Sequence, residues 1–310
     1  MTTLIPTSSA KVFRQVQFYP EVNGPGLQVV DPQLYNAGII TSEGKSKNAD
    51  TESVRIQGSR KEYANIAMGI EGTISLDYHI LDTKLIRYGI LDPGGVGTIE
   101  EPLAFIYARK INNVDSYKLV QGCVTDSITI NIDRVPTISH TFTAVKISQW
   151  MTLAALRTAL GLTGTSNPKW ASPLTDEPWT HLLGTDGASS AVTLNGSAAD
   201  ITKMSITVNN NVLKQKPLGY KQPKWVEAGN KDISLSIEPY LYDNSFEDLV
   251  DNNTLSTIVV CLKATSPVVN LTVTGCHFKS HDDKSDSSGG EFITNPVAGS
   301  ASEVSIPAYP

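Results

Sequence analysis

Cys276-His277-x3-His281-Asp282-Asp283 is the densest run of metal-ligand residue types in this 310-residue chain. Zinc takes cysteine, histidine and carboxylate ligands in a closed tetrahedral set. Here His277 and His281 flank the tip of a strand pair, in a Ser-, Asp-, Lys- and Gly-rich stretch where polar residues need no special reason. Asp282, Asp283 and Asp286 lack the spacing of an EF-hand calcium loop. Asp92-Pro-Gly-Gly-Val-Gly looks like half of a phosphate-cradling loop, but it leads into a strand pattern, and no Lys-Ser/Thr pair follows. The chain has neither a Gly-x-Ser-x-Gly elbow nor a His-Glu-x-x-His helix. Glu100 and Glu101 stand together in a loop, as expected in a chain with 31 acidic residues. These observations predict no catalytic residue, no metal and no cofactor; the chain is read as a non-enzyme.

A patterned polar surface remains. From Asp232 to Glu238, Ile233, Leu235 and Ile237 alternate with Asp232, Ser234, Ser236 and Glu238, the period-two signature of a half-buried strand. A second strand carries Thr73, Ser75, Asp77 and His79 in the same way. Such a face is either an ordinary solvated sheet surface or, being small, hydroxylated and mildly acidic, the wall of a channel.

The elements that must hold these strands occur twice. Gly229–Leu262 reads as a strand, then a short helix opened by the N-cap pair Asn244 and Glu247, then a β-branched strand. Gly69–Ala108 repeats that order, with Gly69 matching Gly229, Ile74-Ser75-Leu76 matching Ile233-Ser234-Leu235, and Asp82 at the helix start. Further on, Gly122-Cys123 matches Gly275-Cys276. Four matches in one order predict a duplicated domain, with units at 1–150 and 201–310 and a connection at 151–200.

Composition agrees with a mainly β chain of two domains. Hydrophobic residues make up 40%, charged residues 18%, and there are 23 glycines and 17 prolines. The net charge of −6 and the lack of a Lys/Arg cluster argue against a surface that grips nucleic acid. No apolar run approaches the roughly 20 residues of a membrane span, and the first ten residues lack the pattern of a signal peptide. The three cysteines are expected to be buried thiols rather than a disulfide frame.

Along the chain, residues 1–12 read as an arm and Val16–Val22 as a first strand, with Met204–Asn210 as its expected counterpart. Residues 23–52 read as a long polar loop, matched by a shorter one at 211–228. Tyr117–Val124 and Ser127–Asp133 read as a hairpin, and Ile138–Ile147 closes the first unit. Met151–Leu162 is the clearest amphipathic helix, and Trp170 and Trp179 suggest that the connection packs on something.

Ser205-Ile-Thr-Val-Asn-Asn-Asn, Glu227-Ala-Gly-Asn-Lys-Asp-Ile-Ser-Leu-Ser-Ile-Glu and Tyr242-Asp-Asn-Ser-Phe-Glu-Asp-Leu together resemble the tail tube (major tail) proteins of tailed phages and related viruses. The resemblance covers most of 200–310 and, more faintly, 12–150. It implies a β-sandwich or half-barrel with a flanking helix, whose inner sheet joins those of ring neighbours around a lumen. Family members with one domain form hexameric rings. Two domains imply three chains in a pseudo-hexameric ring, stacked into a tube through which DNA passes without specific binding. Thr73, Ser75, Asp77, His79, Asp232, Ser234, Ser236 and Glu238 become candidate lumen residues. Ser42, Glu43, Lys45, Lys47, Lys214, Lys216, Lys221 and Lys224, in the two loops, become candidates for ring stacking. The implied partners are further copies of the chain and other tail proteins such as the tape measure, tail terminator and distal tail components. The implied location is the virion tail, assembled in the host cytoplasm. A trimeric tail hub or distal tail (baseplate) component is a close alternative, and a secreted glycan-binding β-sandwich a more remote one.

Overall fold

The structure, a computed structural model, describes residues 14–21, 26–55, 62–90, 102–111, 114–133, 135–164, 166–171, 192–199, 201–215, 217, 223–239, 245–263, 268–281 and 297–307. The first part of the chain forms β1 (Arg14–Pro20), β2 (Tyr35–Asn36), β3 (Ile39–Arg55), β4 (Glu62–His79), α1 (Lys84–Ile90), β5 (Leu103–Ile111), β6 (Val114–Ile132), β7 (Thr137–Ile147) and α2 (Leu153–Ala159). The second forms β8 (Val192–Leu194), β9 (Ser197–Ala198), β10 (Ile201–Asn209), β11 (Leu213–Gln215), β12 (Trp225–Glu227), β13 (Asp232–Pro239), α3 (Ser245–Asp251), β14 (Ser256–Lys263), β15 (Val269–His281), β16 (Val297–Ala301) and β17 (Glu303–Ser305). The chain is mainly β, and its sheets are large and antiparallel.

Strand pairing follows one order in both parts. In the first, neighbours run β3-β4-β7-β6-β5-β1, and in the second β10-β13-β16-β15-β14-β8. α1 follows β4 and packs on β6, while α3 follows β13 and packs on β15. β6 and β10 then join the two parts edge to edge, from Met204 opposite Ile132 to Asn209 opposite Ser127.

β6 and β15 are each bent at a glycine. Gly122 (φ 65°) and Gly275 (φ 62°) hold the left-handed backbone conformation that side-chain-bearing residues resist. Each is followed by a buried cysteine, and three residues past each glycine the pairing register slips, at Thr125/Ser127 and at Phe278/Ser280. A slip of this kind bends and twists the strand that carries it. As a result β5 and β10 share one edge of β6, β5 before the bend and β10 beyond it. The bend is clamped by Glu21, fully buried, whose carboxylate accepts hydrogen bonds from the amides of Gly122 (2.6 Å) and Gly26 (3.0 Å). Burial pushes the Glu21 carboxyl up to about 7 despite those bonds.

One apolar core serves both parts. Alternate residues of β4 (Ile74, Leu76, Tyr78), β6 (Ile128, Ile130, Ile132), β10 (Met204, Ile206, Val208) and β13 (Ile233, Leu235, Ile237) all point into it. Each such side chain contributes about 1.5–3 kcal/mol when fully buried. The one histidine in this layer, His140, is fully enclosed: Thr125 Oγ1 lies 2.9 Å from Nε2, Tyr78 Oη 3.3 Å from Nδ1, and Phe142 stacks on the ring. With no charged partner, burial lowers its pKa to about 3. A smaller cluster seats α2 through Leu156 and Leu160 on Tyr19, Tyr117 and Leu119, and Trp170 stacks on Tyr117.

Several sequence-based expectations are corrected. Residues 23–52 are not one long loop: Ile39–Arg55 is strand β3, hydrogen-bonded along its length to β4. Its polar composition conceals it because it lies at the end of the sheet order and one of its edges has no neighbour among the described strands. The segments read as a hairpin at Tyr117–Val124 and Ser127–Asp133 instead form one bent strand, Val114–Ile132. β10 takes the place of β3 in the pairing order, not that of β1, whose place is held by β8. Gly69 lies inside β4 whereas Gly229 precedes β13, so that pair does not correspond. Within 151–200, β8 pairs with β14. Asp92–Gly97, Glu100, Glu101, Trp179, Asp282, Asp283 and Asp286 lie outside the described residues.

Candidate functional site

The two strands that carry the candidate lumen residues lie in the same sheet with the same face outward. β4 buries Ile74, Leu76 and Tyr78 and leaves Thr73, Ser75, Asp77 and His79 on the opposite side. β13 buries Ile233, Leu235 and Ile237, with Asp232, Ser234 and Ser236 exposed and Glu238 half-buried. Between them run β7, β6 and β10, so the two rows stand four strand spacings apart, about 19 Å.

Register turns this into a continuous surface across eight strands, β3-β4-β7-β6-β10-β13-β16-β15. Ser42, Asp77, Ser139, Thr129, Thr207, Ser234, Ser300 and His277 sit side by side, each opposite the next. A second row runs Gly44, Ser75, Thr141, Ser127, Asn209, Asp232. A third runs His79, Thr137, Asn131, Ser205, Ser236, Ala298. The residues on β7, β6 and β10 were missed in the sequence, although the alternation in Ser127-Ile-Thr-Ile-Asn-Ile and in Met204–Asn209 already marks them as two-faced strands.

Short polar side chains lock to each other along this surface. Thr129 and Thr207 share a hydrogen bond of 3.0 Å, Ser205 Oγ donates to Asn131 Oδ1 at 3.1 Å, and Asn211 Nδ2 donates to Asp232 Oδ2 at 2.8 Å. Lys203 lies opposite Glu238, their charged atoms 4.0 Å apart. The three rows add Asp77 and Asp232 but no further lysine or arginine. The face therefore offers hydroxyls and a slight negative excess, with no cluster of cations to arrest a polyanion. His277 Nε2 is hydrogen-bonded to Asn253 Oδ1, and no metal-ligand cluster occurs among the described residues.

The stacking candidates divide. Ser42 belongs to the polar face itself. Glu43 and Lys45 point the other way: they are ion-paired at 3.0 Å and nearly buried, with the ammonium 3.7 Å from the centre of the Tyr107 ring. Lys47 is in β3, at the start of a stretch where β3 and β4 pair only with each other, because β7 joins β4 from Gly72 onward. Lys214 lies in β11 and Lys224 beside β12, both exposed, on the short hairpin between β10 and β13. Lys216 and Lys221 lie outside the described residues.

A family model described as phage tail tube protein matches residues 45–302. No curated protein matches the chain. Among solved structures, the chain is similar to a chain of the anti-feeding prophage baseplate, determined by cryo-EM with sixfold symmetrisation. The identity is 9% and the TM-score 0.34, over 48% of this chain and 98% of that one.

Proposed function

Because the chain belongs to the phage tail tube protein family, and so is a structural component of a phage tail working with other tail proteins, we propose that it is the tube subunit, closing in threes into rings that stack around a DNA channel. The observation that carries this reading is the eight-stranded polar face. Its first four strands, β3-β4-β7-β6, and its last four, β10-β13-β16-β15, succeed each other in the same order around corresponding helices and bends. We read them as one tube module written twice, so that three chains supply six modules and 3 × 8 = 24 strands.

A closed sheet of that size has a suitable bore. At a spacing of about 4.8 Å and a tilt of about 40°, 24 strands enclose a backbone diameter of roughly 48 Å. Subtracting a layer of small side chains leaves a lumen wider than a double helix. Closure places the apolar faces of the strands outward into the core and the Ser/Thr/Asn/Asp face inward. It also removes exposed sheet edges, which a free β chain must otherwise protect. No residue acts as a catalyst; the wall works by offering phosphates no cationic resting place.

Stacking falls to the hairpin arm at the ends of β3 and β4. From Lys47 to Arg55 the arm reaches about 30 Å along the strand direction, beyond the strands beside it. The hairpin of β11 and β12 occupies the same position between β10 and β13. Electron microscopy of the concentrated purified protein tests the reading. Annuli with an open centre, threefold or pseudo-sixfold in projection and stacking into hollow rods, are expected. A protein that stays monomeric at all concentrations, or that stops at a single unstackable ring, overturns the tube assignment.

A further inference from the structure

The core of the first part ends in charge where that of the second ends in aliphatic side chains. Gly44 faces Ser75 as Thr207 faces Ser234, so Glu43 and Lys45 of β3 stand where β10 has Ile206 and Val208. Tyr107 faces Lys118, four residues before the bend glycine Gly122, as Val260 faces Leu271, four before Gly275. Two residues past Tyr107 comes Arg109, and two past Val260 comes Leu262. Ile147 faces Val120 as Val304 faces Val273, which sets Trp150 against Pro307. Ile206, Val208, Val260, Leu262 and Leu271 are all fully buried.

The charges of the first part gather on one indole. The Arg109 guanidinium lies 3.6 Å from the centre of the Trp150 ring, the Lys118 ammonium 5.6 Å and the Lys45 ammonium 6.0 Å. Lys45, Lys118, Ile147, Ser148 and Trp150 are among the walls of a cavity of about 360 Å³, the size of a small-ligand site. Within this group stand three cations and one carboxylate, Glu43, ion-paired with Lys45 at 3.0 Å. Arg109 Nε and Tyr107 Oη are buried without a hydrogen-bond partner among the described residues. A fold that works with leucine and valine at these positions does not need the charges, and holding three cations together costs stability unless anions complete the set.

We infer that this cavity is a seat for carboxylates and takes an acidic polypeptide segment of another tail protein. The guanidinium offers a planar fork that pairs a carboxylate through two bonds, and the two ammonium groups add point charges. Trp150 and Ile147 supply apolar surface for the methylenes of a glutamate. The cations converge on one ring rather than forming the stripe that tracks a phosphate backbone. Lys45 also lies on the side of β3 away from the polar face, which favours a protein over DNA. Because the second part fills the equivalent positions with valine and leucine, each chain holds one such seat.

The test is fluorescence anisotropy of labelled acetyl-hexaglutamate with the full-length protein, with hexaglutamine, inorganic phosphate and a short oligothymidylate as competitors. Saturable binding that hexaglutamine does not displace is expected. Arg109→Leu and Lys118→Leu should each weaken it about tenfold or more. Their thermal melts should stay level or rise, because leucine is what the second part places there. Lys118→Gln, which removes the charge but keeps a polar side chain, should weaken binding alike. Lys169→Gln, which removes an exposed lysine paired with Asp31 elsewhere, should leave it unchanged. No binding, or a loss in the cavity variants no greater than in Lys169→Gln, overturns the seat. Unfolding of both leucine variants does so too, since the cluster would then be holding the fold. Phosphate or oligothymidylate displacing the peptide at concentrations where free hexaglutamate does not overturns the carboxylate assignment. Self-association of the unmodified protein that Lys118→Leu abolishes overturns the choice of partner in favour of a second copy.

Discussion

Thr129 and Thr207 are 78 residues apart in the chain, and their hydroxyls share a 3.0 Å hydrogen bond across the seam where β6 meets β10. Beneath them Ile128, Ile130, Met204, Ile206 and Val208 continue a single core from one part of the chain to the other. The two parts are therefore fixed to each other by strand pairing and apolar packing, not only by the covalent connection.

The bend of β6 should tolerate no side chain. A methyl group on Gly122 would lie 2.6 Å from Val145 Cβ, at a φ of +65°. Left-handed backbone alone costs a non-glycine residue about 1–2 kcal/mol, so Gly122→Ala should lower stability by about 2 kcal/mol or more in urea unfolding. Adding Val145→Ala should recover part of that loss by relieving the contact, while the conformational part stays.

Two buried groups should give the stability curve opposite slopes. His140, held near pKa 3 against about 6.5 when exposed, resists the proton that the unfolded chain accepts. Its contribution is complete above pH 6.5 and declines as the pH falls toward 3, by up to about 1.4 kcal/mol per pH unit. Glu21 is raised to about 7, so its contribution is complete below pH 4.5 and declines as the pH rises to 7. Glu21→Gln should flatten the profile between pH 4.5 and 7, and His140→Gln should flatten it below 6.5 at some cost in stability at neutral pH. Thermal melts across pH 3–8 read both, and profiles unchanged by either substitution would contradict the assignments.

Cations placed on the polar face should hinder passage without disturbing assembly. Ser75→Lys and Ser234→Lys lie on exposed positions with their strands' apolar residues untouched. Tubes of normal length by microscopy, combined with slowed genome ejection, are expected, with the defect shrinking as salt rises. Ejection at the unmodified rate with both lysines present would remove the electrostatic role of the wall.

Shortening the arm should separate ring formation from stacking. Cutting β3 and β4 back to the Asp50–Gly69 pair and closing them with an Asn-Gly turn leaves every strand that β4 shares with β7. Rings should persist while tubes become short or absent. Tubes of undiminished length would show that the arm has no part in stacking.

How much of this was legible in the sequence depended on whether each strand is two-faced. β4, β10 and β13 carry strict alternation because one side meets the core and the other does not, so their faces could be read residue by residue. The matched Gly122-Cys123 and Gly275-Cys276 pairs mark the bends of β6 and β15, a signal set by backbone conformation and close packing. β3 was unreadable for the opposite reason. Its inward positions include Glu43 and Lys45, which satisfy each other and the Tyr107 ring, so no apolar rhythm betrays the strand. Charged residues turned inward are also a known device for guarding a strand edge until its proper neighbour arrives. The order of strands, and hence the gathering of polar residues from eight strands on one surface, depends on pairings between distant segments that no local pattern encodes.

The unequal hairpins carry a last implication. β3 and β4 run on for nine residues or so past the neighbouring strand, whereas β11 and β12 are three residues each. A ring of three such chains would carry long and short teeth in alternation around its rim. A neighbour gripping that rim would find three equivalent seats rather than six, so successive rings would be keyed in thirds of a turn, and the wall's finer sixfold likeness would not extend to the way the rings are screwed together.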